Sequence, residues 1–129
     1  MDRYECALKE LDSYLELEER WDSYDGETFS IETINRAKEM VAKIKLFFNE
    51  HNLIPNELYP GPASDGSVDI EVEYEKKCLF ITIYPCEFFL NFCLIISNIE
   101  SETWDFSKDS NIEDINKKMF ILLEKLIGN

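Results

Sequence analysis

Residues 21–26 read Trp-Asp-Ser-Tyr-Asp-Gly, and they connect two segments that have the apolar spacing of amphipathic helices. Asp, Ser and Gly favour a turn here, because short polar side chains bond nearby backbone and glycine accepts positive φ. Leu17, Trp21 and Tyr24 follow one another at steps of four and three, so the two rings continue the face of the first helix. We therefore interpret four of these residues as a structural corner of the fold: Trp21, Asp22, Tyr24 and Gly26.

The segments on either side of this corner have helical periodicity. Residues 2–20 place apolar side chains at steps of four, three and four, which predicts one helix over that length. After the corner, Ser30 is the expected N-cap of a second helix, and the two helices are expected to form a hairpin. A third helix is expected near the C-terminus, where Ser110 and Glu113 have the spacing of a capping box and Gly128 marks the end.

Between the second and third helices the sequence changes to a sheet pattern. Prolines and glycines in residues 52–67 interrupt helix, and residues 68–75 then alternate between apolar and acidic side chains, which predicts a half-buried strand. Residues 78–84 predict a second strand, and residues 88–96 predict a third that is apolar on both faces. The whole chain, residues 1–129, is thus expected to be a single α+β domain. Its N-terminal helical hairpin would pack on a three- to four-stranded antiparallel sheet, with a C-terminal helix.

Residues 88–96 and the pair Trp104 and Phe106 each have two interpretations, and Leu58 and Tyr59 have one. A strand at residues 88–96 needs cover on its second face, either from the C-terminal helix or from a second subunit, and the second case predicts a homodimer. Leu58 and Tyr59 fit a short edge strand, because the prolines nearby exclude a central position. Trp104 and Phe106 belong either to another short edge strand or to an aromatic lid over the sheet.

Charge and cysteine spacing limit the classes of partner. The net charge of −14 and the pI of about 4.4 argue against direct binding of nucleic acid or anionic membranes, which need Lys and Arg. Residues 1–32 carry 11 acidic and 3 basic side chains, a net charge of −8 that leaves −6 for the rest. No signal-peptide pattern is present, and no apolar run is long enough for a bilayer. The cysteines lack a C-x-x-C pair and are expected to be buried thiols in a reducing cytoplasm: Cys6, Cys78, Cys86 and Cys93.

The acidic face of residues 68–75 is the strongest candidate for a binding site. Asp69, Glu71 and Glu73 would project their carboxylates in a row at steps of about 6.6 Å, twice the rise of a strand. Phosphates along a nucleic-acid strand have a spacing of about 6 to 7 Å, so the row can mimic nucleic-acid charge. The commoner explanation of such a face is solvation and protection from edge aggregation. With Trp104 and Phe106, these carboxylates make up the predicted partner-binding residues.

The sequence contains no specific catalytic motif, which favours a small acidic protein-interaction module of the antitoxin, inhibitor or adaptor kind. We expect no catalysis, no metal and no cofactor, and a partner that is another protein, of the basic nucleic-acid-binding type. The alternative is a divalent-metal-dependent hydrolase or nuclease with Asp69, Glu71 and Glu73 as ligands. A third hypothesis is a small-molecule sensor with a pocket under an aromatic group: Tyr84, Phe88 and Trp104.

Several short motifs resemble a group of small microbial proteins that have no established activity. The motifs are Leu17-Glu18-x-x-Trp21-Asp22-Ser23-Tyr24, Ser30 at a helix start with Ala37 inside the helix, then Pro55, Pro60 and Asp65-Gly66-Ser67-Val68-x-Ile70-Glu71. That group has a Trp-Asp-Gly-Tyr turn between helices and a proline-rich link into an Asp-Gly-Ser-Val strand. Here Ser23 replaces the usual Gly, Val72 replaces an aromatic residue, and the helix after residue 110 is an extension. The resemblance covers roughly residues 15–85, and it implies the architecture and a non-enzymatic role.

Overall fold

Within the described residues, two helices come first, five strands follow, and a third helix comes last. A computed structural model describes residues 2–18, 21, 26, 28–85 and 88–128, with the backbone alone for residues 88 and 89. The helices are α1 (Arg3–Tyr14), α2 (Ile31–Glu50) and α3 (Ile112–Ile127). The strands are β1 (Glu57–Pro62), β2 (Val68–Tyr74), β3 (Lys77–Ile83), β4 (Phe88–Ile96) and β5 (Ile99–Ser107).

The five strands form one antiparallel sheet in the order β1-β2-β3-β4-β5, so each strand pairs with its neighbour in sequence. This confirms the predicted α+β class with N-terminal helices and a C-terminal helix. The expected number of three to four strands is wrong, because both edges carry a full strand. The edge strand near Leu58 extends over six residues, and Trp104 and Phe106 lie in a nine-residue strand, not in a lid.

Two tight turns set the register of the sheet. Glu75 and Lys76 have φ values of 47° and 70°, and they connect β2 to β3 as a two-residue loop. Ser97 and Asn98, with φ values of 55° and 63°, connect β4 to β5 in the same way. Positive φ at both loop positions gives the backbone twist that matches two adjacent antiparallel strands. These turns bring residues of successive strands into direct opposition.

All three helices lie on one side of the sheet, which we call the helix side. Most residues of β2, β3 and β4 that face them are fully buried, and they share one core with the apolar faces of α1, α2 and α3. α3 packs on β2, β3 and β4 and contacts α2, so it lies on the same side as the other helices. Of the two alternatives for the second face of β4, cover by α3 is therefore wrong. The buried strand residues are Leu58, Val68, Ile70, Val72, Leu79, Ile81, Ile83, Leu90, Phe92 and Leu94.

The helix ends agree with the sequence at some positions and differ at others. α1 ends at Tyr14, well before residue 20, because acidic residues such as Glu16 and Glu18 follow and none of the last-turn residues is basic. A negative charge near the C-terminal end of a helix opposes its dipole. The N-cap of α2 is Ser30, as predicted, and its hydroxyl accepts the Thr33 N–H at 3.1 Å.

The third helix begins one residue later than expected. Its N-cap is Asn111, whose side chain accepts the Glu113 N–H at 2.7 Å. Ser110 instead uses its hydroxyl to accept the Ser107 N–H at 3.1 Å, which ties the end of β5 to the turn before α3. Gly128 is the C-cap, as predicted.

Residues 21–26, which the sequence predicts to form a structural corner, lie partly outside the described residues. Trp21 is half-buried, and its ring lies 5.8 Å from the ring of Phe29, centroid to centroid. Gly26 is buried. Asp22 and Tyr24 belong to the part of the chain that the structure does not describe, so the structural corner stays a prediction.

Candidate functional site

The side of the sheet opposite the helices has no helix over it among the described residues, and we call it the open face. Its side chains come from alternate positions of all five strands and form three cross-strand rows. The rows are Glu57, Glu73, Cys78, Ile95 and Glu100; Tyr59, Glu71, Phe80, Cys93 and Thr103; and Gly61, Asp69, Thr82, Asn91 and Asp105.

The open face is strongly acidic. Six of the fifteen residues in its rows are Asp or Glu, and none of those fifteen is Lys or Arg. The sequence predicted one acidic row of this face from Asp69, Glu71 and Glu73, and the structure places all three on β2, next to the edge strand β1. The fold adds Glu57 and Glu100 at the two edge strands of one row. Asp105, at the end of another row, completes the six.

Hydrogen bonds between strands hold two of these carboxylates in place. The Thr82 hydroxyl donates to Asp69 Oδ1 at 2.7 Å across β2 and β3. The Asn91 side-chain amide donates to Asp105 Oδ1 at 2.7 Å across β4 and β5. Both bonds lie within the same row, and they fix its charges relative to one another. In the rows of Glu71 and Glu73, the one neutral side chain that donates to these carboxylates is the weak donor Cys78, which bonds Glu71.

The middle row places two aromatic rings beside a carboxylate. Tyr59 and Phe80 flank Glu71 on either side, because β1 and β3 are the neighbours of β2. A shallow depression of about 470 Å³ lies over these residues and continues to Asp69 and Cys93. A hydrogen bond with Glu57 and the nearby negative charges raise the pKa of the exposed Tyr59 phenol above its ordinary value. The depression thus offers apolar walls and negative charge together.

Three potential metal ligands meet in the neighbouring part of the open face. Ligand atoms of Glu71, Glu73 and Cys78 all lie within 4.8 Å of one another. The Cys78 thiol donates to Glu71 Oε1 at 3.8 Å. Partial burial first, and then the charges of Glu71 and Glu73, raise the pKa of the Cys78 thiol above its ordinary value. The proton of the thiol is therefore retained at neutral pH in the absence of a cation.

The structure does not bring the two predicted groups of partner-binding residues together. Trp104 and Phe106 lie on the helix side of β5, whereas the carboxylates of β2 lie on the open face. The Trp104 indole donates to Glu102 at 3.1 Å, and Lys118 Nζ lies 3.5 Å from the centroid of its ring. Phe106 packs edge-on against Phe92, with ring centroids 5.8 Å apart.

The cysteines are less buried than the sequence predicted. Cys6 is exposed on α1, and Cys78 and Cys93 are half-buried on the open face; all three are free thiols. Cys86 lies outside the described residues. The prediction of buried cysteines is wrong for the three described ones, because apolar neighbours in sequence do not decide which side of a strand is covered.

Sequence reasoning missed the aromatic and outer acidic residues of the open face. Phe80 and Cys93 stood out as members of alternating strands, but their position next to Glu71 depends on strand register. The signal for that register was the two-residue loop Glu75-Lys76, which fixes Tyr74 opposite Lys77. A loop without glycine is a weak turn signal, so the sequence alone does not determine the register.

Comparison with protein-family models, with curated proteins and with solved structures finds no match for this chain. Within the described parts of the chain, none of the helices is both long and apolar enough to cross a bilayer.

Proposed function

We propose that this chain is a small acidic protein-interaction module, of the antitoxin, inhibitor or adaptor kind, that binds a basic protein through the open face of its sheet. The observation that carries the proposal is the composition of the three rows, with six carboxylates, no cation and an aromatic centre. The proposal assigns no catalytic reaction to the chain. It includes a reducing, cytoplasmic setting, which suits the free thiols of Cys78 and Cys93 on the binding surface.

The charge of the open face favours a basic partner for two reasons. A face of one sign raises the encounter rate with an opposite charge and repels acidic surfaces. Binding through Lys or Arg also removes the mutual repulsion of carboxylates such as Glu71 and Glu73, which lie two residues apart on one strand. Because exposed charges are screened beyond a Debye length of roughly 8 Å at physiological salt, the contact should weaken as salt rises.

The aromatic centre supports recognition of Arg in particular. A guanidinium group stacks on an aromatic ring and bonds a carboxylate through two parallel N–H groups. Tyr59 and Phe80 provide the rings, and Glu71 between them provides the carboxylate. Residues of this kind, at the centre of an interface and surrounded by charge, contribute most of the binding energy in many complexes.

The row of Asp69, Glu71 and Glu73 supports a narrower form of the proposal, in which the partner is a nucleic-acid-binding protein. Alternate residues of a strand have a spacing of about 6.6 Å, which is close to the phosphate spacing of about 6 to 7 Å. The proposal does not need a homodimer. Two open faces in contact would place two sets of six carboxylates against each other, so a basic partner fits this face better than a second copy.

The experiment is affinity capture from native extract with the intact chain and two charge-reversed variants. One variant carries Asp69→Lys, Glu71→Lys and Glu73→Lys. The matched control carries the same charge change at exposed residues away from the sheet: Glu16→Lys, Glu39→Lys and Glu50→Lys. We expect the native chain and the control to recover the same basic protein at moderate salt, and the open-face variant to recover none. Equal recovery by both variants, or no recovery at low salt, would refute the proposal.

A second candidate function is that of a divalent-metal-dependent hydrolase or nuclease, which first requires that the chain bind a divalent metal ion. The observation that favours it is the meeting of Glu71, Glu73 and Cys78 within 4.8 Å. One thiolate with two carboxylates suits Zn²⁺, and binding would release the thiol proton. Asp69, the third ligand expected from sequence, accepts a hydrogen bond from Thr82 instead.

Calorimetric titration with Zn²⁺, Mg²⁺ and Mn²⁺ tests this second candidate, together with a nucleic-acid cleavage assay. Binding that releases a proton and is lost in Cys78→Ser would support a metal site, and metal-dependent cleavage lost in Glu71→Gln would support an enzyme. The small-molecule hypothesis stays a prediction, because the Phe88 side chain that it needs lies outside the described residues.

A further inference from the structure

The two edges of the sheet differ in how they are protected. β1 contains Pro60 and Pro62, which lack a backbone N–H, and α1 packs directly against that strand. β5 forms the other edge with nine residues, Ile99–Ser107, and contains no proline. Among the described residues β4 is the one strand that pairs with β5. The outer edge of β5 therefore presents backbone groups that a further strand can bond.

The helix layer also stops short of β5. α3 packs mainly on β3, with contacts to β2 and β4, and leaves a groove between its C-terminal half and the strands β4 and β5. The groove has a volume of about 600 Å³, and Leu94, Ile96 and Ile121 form its apolar lining. Ile121 projects from α3 and is 43% exposed. An edge that no other described strand pairs with and an apolar groove thus lie side by side.

The side chains of β5 specify what kind of strand would fit beside it. On the open face β5 presents Glu100, Thr103 and Asp105, and on the helix side it presents Glu102, Trp104 and Phe106. Side chains directly opposite each other on neighbouring strands contact one another, and opposite charges are favourable there. A strand that pairs with β5 would therefore place basic residues next to Glu100 and Asp105.

On the helix side the requirement is different. Glu102 already binds Lys125 and accepts the Trp104 indole N–H, and these two bonds hold the pKa of its carboxyl below the ordinary value. Lys118 lies over Trp104. Glu102 is thus paired with Lys125 within the chain. An incoming apolar side chain meets Leu94, Ile96 and Ile121 in the groove, which Lys77 and Glu124 also line with opposite charges.

From these observations we infer that an extended segment of a partner protein, in which basic and apolar residues alternate, adds to the outer edge of β5 as a sixth strand. Its basic side chains face Glu100 and Asp105, and its apolar side chains enter the groove at Ile121. Strand addition of this kind takes its affinity from main-chain hydrogen bonds and its specificity from pockets for alternate side chains. A second copy of this chain is a poor occupant, because β5 carries three acidic residues and no basic one.

This surface shares Glu100 and Asp105 with the open face, but the backbone edge of β5 and the groove at Ile121 do not belong to that face. Strand addition can therefore exist without the docking of a basic protein on the open face. The probe is a synthetic nine-residue peptide in which Lys and Val alternate, with blocked ends. Two further peptides carry N-methyl groups, one at every Val and the other at every Lys. Since the N–H groups of successive residues in a strand point to opposite edges, one methylated peptide loses the bonds to β5 and the other keeps them.

Binding is measured by calorimetry at about 150 mM salt, where distant surface charges are screened. We expect the unmodified peptide to bind, one methylated form to bind about tenfold more weakly or not at all, and the other to bind unchanged. Ile121→Asp should weaken binding about tenfold. Ile54→Asp, which changes an exposed residue away from β5, should have no effect. The amide protons of β5 should exchange more slowly in the complex.

Three results would overturn the inference. The first is equal binding of both methylated peptides, which would indicate contact through charge alone. The second is equal affinity of the peptide for the Ile121→Asp and Ile54→Asp variants. Absence of binding at about 1 mM peptide counts with it, since the binding free energy would then be weaker than about −4 kcal/mol. The third is a concentration-dependent dimer that Ile121→Asp abolishes, which would make a second copy the occupant. Reversal of Asp69, Glu71 and Glu73 should leave peptide binding within about twofold, since β5 does not touch β2.

Discussion

Glu71 lies directly opposite Phe80 across the antiparallel pair of β2 and β3. On the next strand, β4, Cys93 lies opposite Phe80, so the ring has a carboxylate on one side and a thiol on the other. All three side chains are half-buried. The Phe80 ring is apolar surface that none of the described helices covers, at the centre of a negatively charged face.

The exposure of Phe80 leads to a stability prediction. Phe80→Ala should lower the free energy of unfolding by about 1 kcal/mol, while Phe92→Ala, on the buried side of β4, should lower it by about 3 to 5 kcal/mol. Urea unfolding at two protein concentrations measures both effects. If Phe80→Ala costs as much as Phe92→Ala, and the cost depends on concentration, the open face is buried in a homodimer, and the proposed docking of a basic protein there is wrong.

The position of Cys78 leads to a prediction about reactivity. Partial burial and the charges of Glu71 and Glu73 raise the pKa of its thiol, so less thiolate is present at a given pH and alkylation is slower. The double variant Glu71→Gln and Glu73→Gln should lower this pKa and speed alkylation of Cys78 at pH about 8. Peptide-level mass spectrometry after a timed iodoacetamide pulse measures the rate. The same substitutions at Glu16 and Glu39 serve as the control, and an equal acceleration there would contradict the electrostatic cause.

At the start of α3, the sequence predicts Ser110 as the N-cap, whereas the structure has Asn111 there. Asn111→Ala should lower the free energy of unfolding by about 1 kcal/mol, because the Glu113 N–H loses its acceptor. Ser110→Ala should cost less, since its hydroxyl accepts an exposed N–H of Ser107 at the end of a strand. Thermal or urea unfolding of the two variants gives the order. The reverse order would place the N-cap at Ser110, as the sequence alone suggested.

Trp21 should contribute to stability without contributing to binding. The ring is half-buried and packs on Phe29, so Trp21→Ala should cost about 2 kcal/mol, roughly half of the value for a fully buried aromatic residue. Recovery of the basic partner should stay unchanged at a temperature where the variant is folded. A variant that keeps its stability and loses the partner would make the corner a recognition site.

The sequence predicted those parts of the fold that depend on local pattern. Alternation in β2 identified Asp69, Glu71 and Glu73 as one face, and the hydroxyl at Ser30 identified the start of α2. For the segment that forms β5, the sequence left two alternatives, a short edge strand or an aromatic lid. Its residues are mostly exposed on both faces, so its apolar and polar side chains alternate only weakly. An exposed edge strand is held mainly by backbone hydrogen bonds, and these leave no pattern in the amino-acid sequence.

Assembly of the open face depended on register, which local pattern does not determine. Phe80 and Glu71 become neighbours through a two-residue turn made without glycine. Trp104 was grouped with the carboxylates of β2, but the register shift between Leu94 and Ile95 decides which β5 residues face the helices. A shift of one residue moves a side chain to the other face. This is why Trp104 lies opposite Phe92, on the helix side.

The most direct test of the central claim is a thiol footprint of the complex with the captured basic protein. Cys78 and Cys93 lie on the open face, while Cys6 is exposed on α1 and serves as an internal control. Alkylation rates of all three are measured by mass spectrometry with and without the partner. The account predicts that the partner slows alkylation of Cys78 and Cys93 by about tenfold and leaves Cys6 unchanged. Slower alkylation of Cys6, with Cys78 and Cys93 unaffected, would contradict it.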